Sequence, residues 1–447
     1  MKLSEWATPG IGVKRWIFQI LIGVFFISYA MIEFFKGENY SLEQIAFLIF
    51  ILLIGVLIAS LGLNQYTKKV MNIIRLEELD FSKDDKIRKN EIQRRNLLIK
   101  GPKIVVIGGG TGLSNMLSGL KKYTFNITAI VTVADDGGGS GILRQDLGML
   151  PPGDIRNCII SLADTEPLMD QLLRYRFKDG SLENQSFGNL FLAAMNGISD
   201  NFLEAVKKTS QVLAVTGQVL PVTLENIQLC AKLKNGNIVK GESSIPTESI
   251  NQKSPIERVF IEPEDAKGIQ EGIDAILDAD AVVLGPGSVY TSIIPNIMVK
   301  DVRDALLKTE ALKIYVSNVM TQPGESDNYS VEDHIRAIIN HCPGINIDYT
   351  IVNKGDTDKE EDIKEKYLKQ GSSLVKRDYK SDINIKTKYI ECDMIKIKKE
   401  LIRHDKDKLA KILMKTIIIR SMKKGNKRIE EYMQLAHEMK KEKKDRE

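Results

Sequence analysis

The chain has 447 residues, a formal net charge of +4, and 43% hydrophobic and 27% charged residues. That length allows one large α/β domain or two ordinary ones, and the average composition is that of a soluble globular protein. Cys158, Cys230, Cys342 and Cys392 form no C-x-x-C pair, and His334, His341, His404 and His437 show no H-E-x-x-H spacing, which argues against a disulfide framework and a structural zinc.

The average conceals a split. Trp16 to Phe35 is an apolar run holding one acid, Glu33, and Ile45 to Leu63 is a second run without any charge. Each can cross a hydrocarbon core of about 30 Å at a rise of about 1.5 Å per residue. Two full-length runs around a short polar loop predict a transmembrane helical hairpin over residues 1–68, with spans near 16–35 and 45–63, and not a signal peptide. Lys14 and Arg15 precede the first span and Lys68, Lys69 and Arg75 follow the second. This bias places both termini and the main domain in the cytoplasm, anchored to the cell membrane. Residues 69–102, highly charged with Ile73, Ile74, Leu76, Leu79 and Ile87 at helical spacing, predict a helical stalk.

From Lys103 onward short β-branched runs alternate with amphipathic stretches, the pattern of βαβ units and a mostly parallel sheet. KIVVIGGGTG, Lys103 to Gly112, is a buried strand followed by glycines that can present backbone N–H groups to an anion at a helix start. TVADDGGGSG, Thr132 to Gly141, repeats the design after the strand Ile127 to Val133. The spacing is not that of a dinucleotide site, because Leu113 or Asn115 stands where its third glycine belongs, and no Walker loop follows. Asp135 or Asp136 could bind ribose hydroxyls or a divalent cation such as Mg²⁺.

LPPGDIRN offers Asp154 as a helix N-cap, with Arg156 and Asn157 in the first turn. SFGNLF puts Gly188 and Asn189 at another helix start, LGPGSVYTS carries Gly285, Gly287 and Ser288, and SNVMTQPGESDNYS supplies Asn318, Thr321, Gln322 and Glu325. Further strands are expected at Val212 to Val215, Ala281 to Leu284, Lys313 to Val316 and Asp348 to Val352, with an inserted β subdomain between Val212 and Ile261. Residues 103–415 form the main domain and 416–447 a basic helical tail; Lys398 to Glu447 holds seventeen basic and nine acidic residues. The polar loops contain no nucleophile and base pairing, so they suit binding phosphates and sugar hydroxyls better than covalent catalysis. No nucleic-acid partner is expected.

IGGGTGLS, ITAIVTVADDGGGSG, LPPGDIRN, FGNL, LGPGSVYTSIIPN and SNVMTQPGE, in this order, resemble the YvcK family of gluconeogenesis factors, relatives of the 2-phospho-L-lactate transferase CofD. The resemblance, from about Lys103 to Met414, implies an α/β, Rossmann-like CofD/YvcK fold behind the two-helix hairpin. It implies a regulator of cell shape and cell-wall synthesis under gluconeogenic growth that binds a UDP-sugar, UDP-N-acetylglucosamine or UDP-glucose, with cell-wall synthesis proteins as partners and a homo-oligomer conceivable. By that resemblance Gly109, Gly110, Thr111 and Gly112 receive the diphosphate, with Asp135 or Asp136 and Asn189 near the nucleotide or sugar; Gly138 and Ser140 belong to the second glycine loop. The alternative is a CofD-like transferase moving a phospholactyl-type group with Mg²⁺. Two departures stand out: Asn184-Gln185 replaces the family's Gly-His, and Gly139 replaces a serine of its Asp-Asp-Gly-Gly-Ser-Ser-Gly loop.

Overall fold

A computed structural model describes residues 14–36, 40–77, 94–355, 361–380, 385–398 and 400–423. The chain divides into two compact units, Met1–Asn96 and Leu97–Glu447. The middle of the expected stalk, residues 78–93, and the end of the expected tail, 424–447, lie outside the described residues.

In the first unit, helices Lys14–Lys36 and Leu42–Glu77 form an antiparallel pair. Glycine lets them approach closely: a Cβ on Gly23 would lie 2.5 Å from the Ala59 nitrogen, and one on Gly62 would lie 2.9 Å from Ile20 Cγ1. Their outward surface is apolar, with Phe18, Phe25, Phe47, Leu53 and Leu57 between 58% and 67% exposed. A core helix of a soluble protein hides such a face. Phe18–Lys36 and Leu42–Gln65, at mean hydropathies of 1.9 and 3.0, are long and apolar enough to cross a membrane. The second helix continues to Glu77, into the charged segment.

The second unit is built on seven strands: β1 (Ile104–Gly108), β2 (Ile127–Val131), β3 (Gln218–Pro221), β7 (Ala281–Leu284), β8 (Leu312–Val316), β9 (Tyr349–Asn353) and β10 (Lys388–Cys392). They run in the order β10-β9-β8-β7-β1-β2-β3, and every pairing is parallel. The central strands are apolar throughout because helices cover both faces; Val106, Ile107, Val282, Val283 and Ile314 are fully buried. The chain leaves β1 toward β3 and later returns to lay β7 on the other side of β1. The direction of winding therefore reverses between β1 and β7, the crevice where open α/β sheets take ligands.

Between β3 and β7 lies the inserted subdomain, a three-stranded antiparallel sheet of β4 (Gln228–Leu233), β5 (Ile238–Lys240) and β6 (Ile256–Glu262) with the helix Ser244–Asn251. A hairpin of β11 (Ile395–Lys398) and β12 (Leu401–His404) precedes the helix Lys406–Lys423. That helix packs on Gly110–Leu120, where a Cβ on Gly119 would clash with the Lys406 carbonyl.

One expected strand is absent. Val212 ends the helix Phe202–Val212, whose buried Phe202, Ala205, Val206 and Thr209 recur at helical spacing while Val212 is exposed, and Leu213 to Val215 follow as a turn and an isolated bridge. The helical period overrode the β-branched composition, and the strand begins later, at Gln218.

Candidate functional site

The loops after β1, β7 and β8 meet at the reversal point around a cavity of about 400 Å³. Its floor is Gly109–Gly112, at the start of the helix Gly110–Leu120, where Gly110 takes φ +70°. Gly112 permits the close approach of the β7 loop: a Cβ there would lie 2.8 Å from the Pro286 carbonyl oxygen. Pro286, Gly287, Ser288, Thr291 and Ser292 form the second wall and Asn318, Met320, Gln322 and Glu325 the third. Glu242 comes from the inserted subdomain, and Ile402, Arg403 and His404 come from the terminal hairpin.

The expected N-cap role of Asp154 is not realised. The helix Gly153–Leu162 has Pro152 at its cap position, and Asp154 instead crosses to the first corner, accepting from the Gly110 amide at 2.6 Å. The Gly110 N–H is thus engaged and not bare, which leaves Thr111, Gly112 and the helix terminus to face a ligand. Burial pushes the Asp154 carboxyl up to about 6, against the pull of the Gly110 amide and Arg156.

Asp135 and Asp136 point to different partners, as neighbours in extended backbone must. Asp135 Oδ1 accepts from the Gly137 amide at 2.9 Å, closing its own turn. Asp136 Oδ1 accepts from the Ser243 amide at 2.9 Å, tying the inserted subdomain to this loop. Among the described residues no cluster of three or more His, Cys, Asp or Glu could hold a metal ion.

Of the residues singled out in the sequence, Gly109, Gly110, Thr111, Gly112, Gly287, Ser288, Asn318, Gln322 and Glu325 line the cavity. Gly285 turns the β7 loop at φ +80°, and Thr321 is buried under it, its hydroxyl accepting from the Ser373 amide at 2.9 Å. Asp135, Gly138, Ser140, Arg156, Asn157, Gly188 and Asn189 gather beside the cavity, around the starts of the helices Gly138–Leu147, Gly153–Leu162 and Phe187–Gly197. There a Cβ on Gly188 would lie 2.9 Å from Arg156 Cδ. Arg156 Nε, Gln185 Oε1 and Asn189 Oδ1 are buried without a hydrogen-bond partner among the described residues. The two departures from the family pattern touch one another: a Cβ on Gly139 would lie 2.7 Å from Gln185 Oε1.

Sequence reasoning missed Glu242, Thr291, Arg403 and His404. Arg403 is the one cationic side chain among the described lining residues, which also include the acids Glu242 and Glu325. Burial, with Asp135 and Glu325 nearby, raises Glu242 to about 8; burial also raises Glu325 to about 7. Ser288 Oγ donates to Glu325 Oε2. Burial lowers His404 to about 4, and its neutral ring places Nε2 3.0 Å from the Ser317 carbonyl oxygen. Thr291 lies within LGPGSVYTS, but no local motif flags Glu242, Arg403 or His404, because each arrives from an element remote in sequence.

This arrangement can bind an anion at the corner and hydroxyls at the acidic wall. The family described as 2-phospho-L-lactate transferase CofD matches residues 104–395. The chain belongs to the CofD family. Relatives of this CofD-family chain carry the gluconeogenesis-factor name. One from Clostridium acetobutylicum is 56% identical over 445 residues, covering 99% of this chain and 98% of that protein. One from Bacillus subtilis is 44% identical over 314 residues, covering 70% of this chain and 97% of that protein. A crystal structure of a UPF0052 family member from Bacillus halodurans matches with a TM-score of 0.65 at 42% identity, covering 69% of this chain and 98% of that one.

Proposed function

We propose that this CofD-family protein is a membrane-tethered, cytosol-facing sensor of a nucleotide sugar such as UDP-N-acetylglucosamine or UDP-glucose. In this reading it acts through protein contacts on cell-wall assembly and cell shape under gluconeogenic growth. The observation that carries the reading is the cavity at the strand-order reversal, with the glycine corner and Arg403 available to a diphosphate and Glu242, Glu325, Ser288 and Thr291 available to hydroxyls. Cys158 and Cys342 are buried and Cys230 and Cys392 lie outside the lining, so the wall holds no thiol nucleophile among its described residues. His404 places Nε2 on the Ser317 carbonyl, and burial lowers it to about 4, far from the value that suits a general base near neutral pH. The two apolar N-terminal helices support the tether.

Calorimetric titration with UDP-N-acetylglucosamine and UDP-glucose, with and without Mg²⁺, tests the reading. Saturable binding without turnover is the expected result. The family's transferase description and the raised carboxyls favour one second reading, transfer of a phosphorylated group from a nucleotide donor; silence toward UDP-sugars with turnover of another nucleoside diphosphate donor would establish it.

A further inference from the structure

Glu242 enters the cavity from the inserted subdomain, and the segment that carries it is clamped from two sides. On one side Asp136 accepts the Ser243 amide, and Gly241 at φ +98° leaves no space, since a Cβ there would lie 2.6 Å from Asp136 Oδ2. On the other side the helix Ser244–Asn251 rests its Pro246 carbonyl against Gly324, where φ is +77° and any Cβ would collide. The carboxyl is therefore held between the loop after β2 and the turn after β8.

What it faces is specific. Glu242, Glu325, Ser288 and Thr291 line the same wall, and Ser288 donates to Glu325. Two carboxyls and two hydroxyls offer several acceptors and donors within one wall, whereas the glycine corner offers backbone N–H groups to a phosphate. The wall thus fits a neutral ring bearing adjacent hydroxyls.

We infer that Glu242 reads the hydroxyl groups of the ligand's sugar ring, and that Asp136 is the positioning residue that holds the Gly241–Ser243 turn beneath it. This rests on the nucleotide-sugar reading above. The ring is either the ribose or the sugar beyond the diphosphate, and both present the same chemistry.

The test is titration of the full chain in detergent with UDP, 2′-deoxy-UDP, UDP-glucose and UDP-N-acetylglucosamine, comparing wild type with Glu242→Gln, which keeps the side chain's shape. Leaving a buried ring hydroxyl without its partner corresponds to about fivefold or more in affinity. If the ring is the distal sugar, Glu242→Gln weakens both UDP-sugars by that factor and leaves UDP unchanged. If it is the ribose, UDP weakens and 2′-deoxy-UDP does not. Asp136→Ala reproduces whichever ligand pattern Glu242→Gln gives, and Asp136→Asn, which retains an oxygen for the Ser243 amide, restores it. An equal change for all four ligands, or none, overturns the inference while leaving the nucleotide reading standing. Wild type that binds none of the four overturns both.

Discussion

Asp154 holds the first glycine corner, and its carboxyl makes a prediction that pH can test. Unfolded, an aspartate titrates near 3.9; in the fold burial lifts Asp154 to about 6. The folded state then holds a proton that the unfolded state has already released between those values, so stability from this group is complete below pH 4 and is lost as pH rises through 6. A shift of about 2 units corresponds to about 3 kcal/mol. Asp154→Asn keeps an oxygen for the Gly110 amide and has no proton to lose. The assay is urea denaturation from pH 4 to pH 8 of a fragment beginning at Leu97, where the second compact unit starts. Wild type and Asp154→Asn are expected to match at pH 4, with the variant more stable by up to about 3 kcal/mol at pH 8. Glu242 and Glu325 titrate in the same direction but are common to both proteins, so the difference curve isolates Asp154. Parallel pH profiles, or a variant less stable at pH 8, would refute the reasoning.

Gly112→Ala places a methyl group 2.8 Å from the Pro286 carbonyl oxygen and must displace the β7 loop; a nucleotide titration should show binding lost with helix content intact by circular dichroism. Arg377→Ala strands Glu332, whose fully buried carboxylate it meets at 3.1 Å, and breaking such a pair costs about 3–5 kcal/mol in urea denaturation. Full-length protein should sediment with membranes, and the fragment from Leu97 should stay in the supernatant; a soluble full-length chain would overturn the tether. Binding of an anion beside three raised carboxyls should draw in protons near pH 7, seen as a dependence of calorimetric heat on the buffer's ionisation enthalpy, and a buffer-independent heat would contradict this.

Local signals were legible where local physics suffices. Val105 to Ile107 followed by five glycine or threonine residues can form little besides a buried strand and a tight corner, and Ala281 to Leu284 and Lys313 to Val316 were equally plain. Val212 misled because β-branched content does not distinguish the last turn of a helix from the first residues of a strand. Asp154 misled for a different reason: an acid at the second position of a helix resembles a cap until a backbone amide 44 residues earlier claims it.

By itself the sequence determined the elements of this protein: two apolar helices, the strands and the glycine corners at their carboxyl ends, because hydrophobic period and glycine's freedom act over a few residues. Which corners share a cavity was decided by strand order. The return of β7 to the side of β1 joins Gly109–Gly112 to the loops after β7 and β8 and leaves Asp135, Arg156 and Asn189 beside them. Glu242 and Arg403 were decided in the same way, delivered from an inserted subdomain and a terminal hairpin by packing between residues more than 100 positions apart, an interaction that no local pattern records.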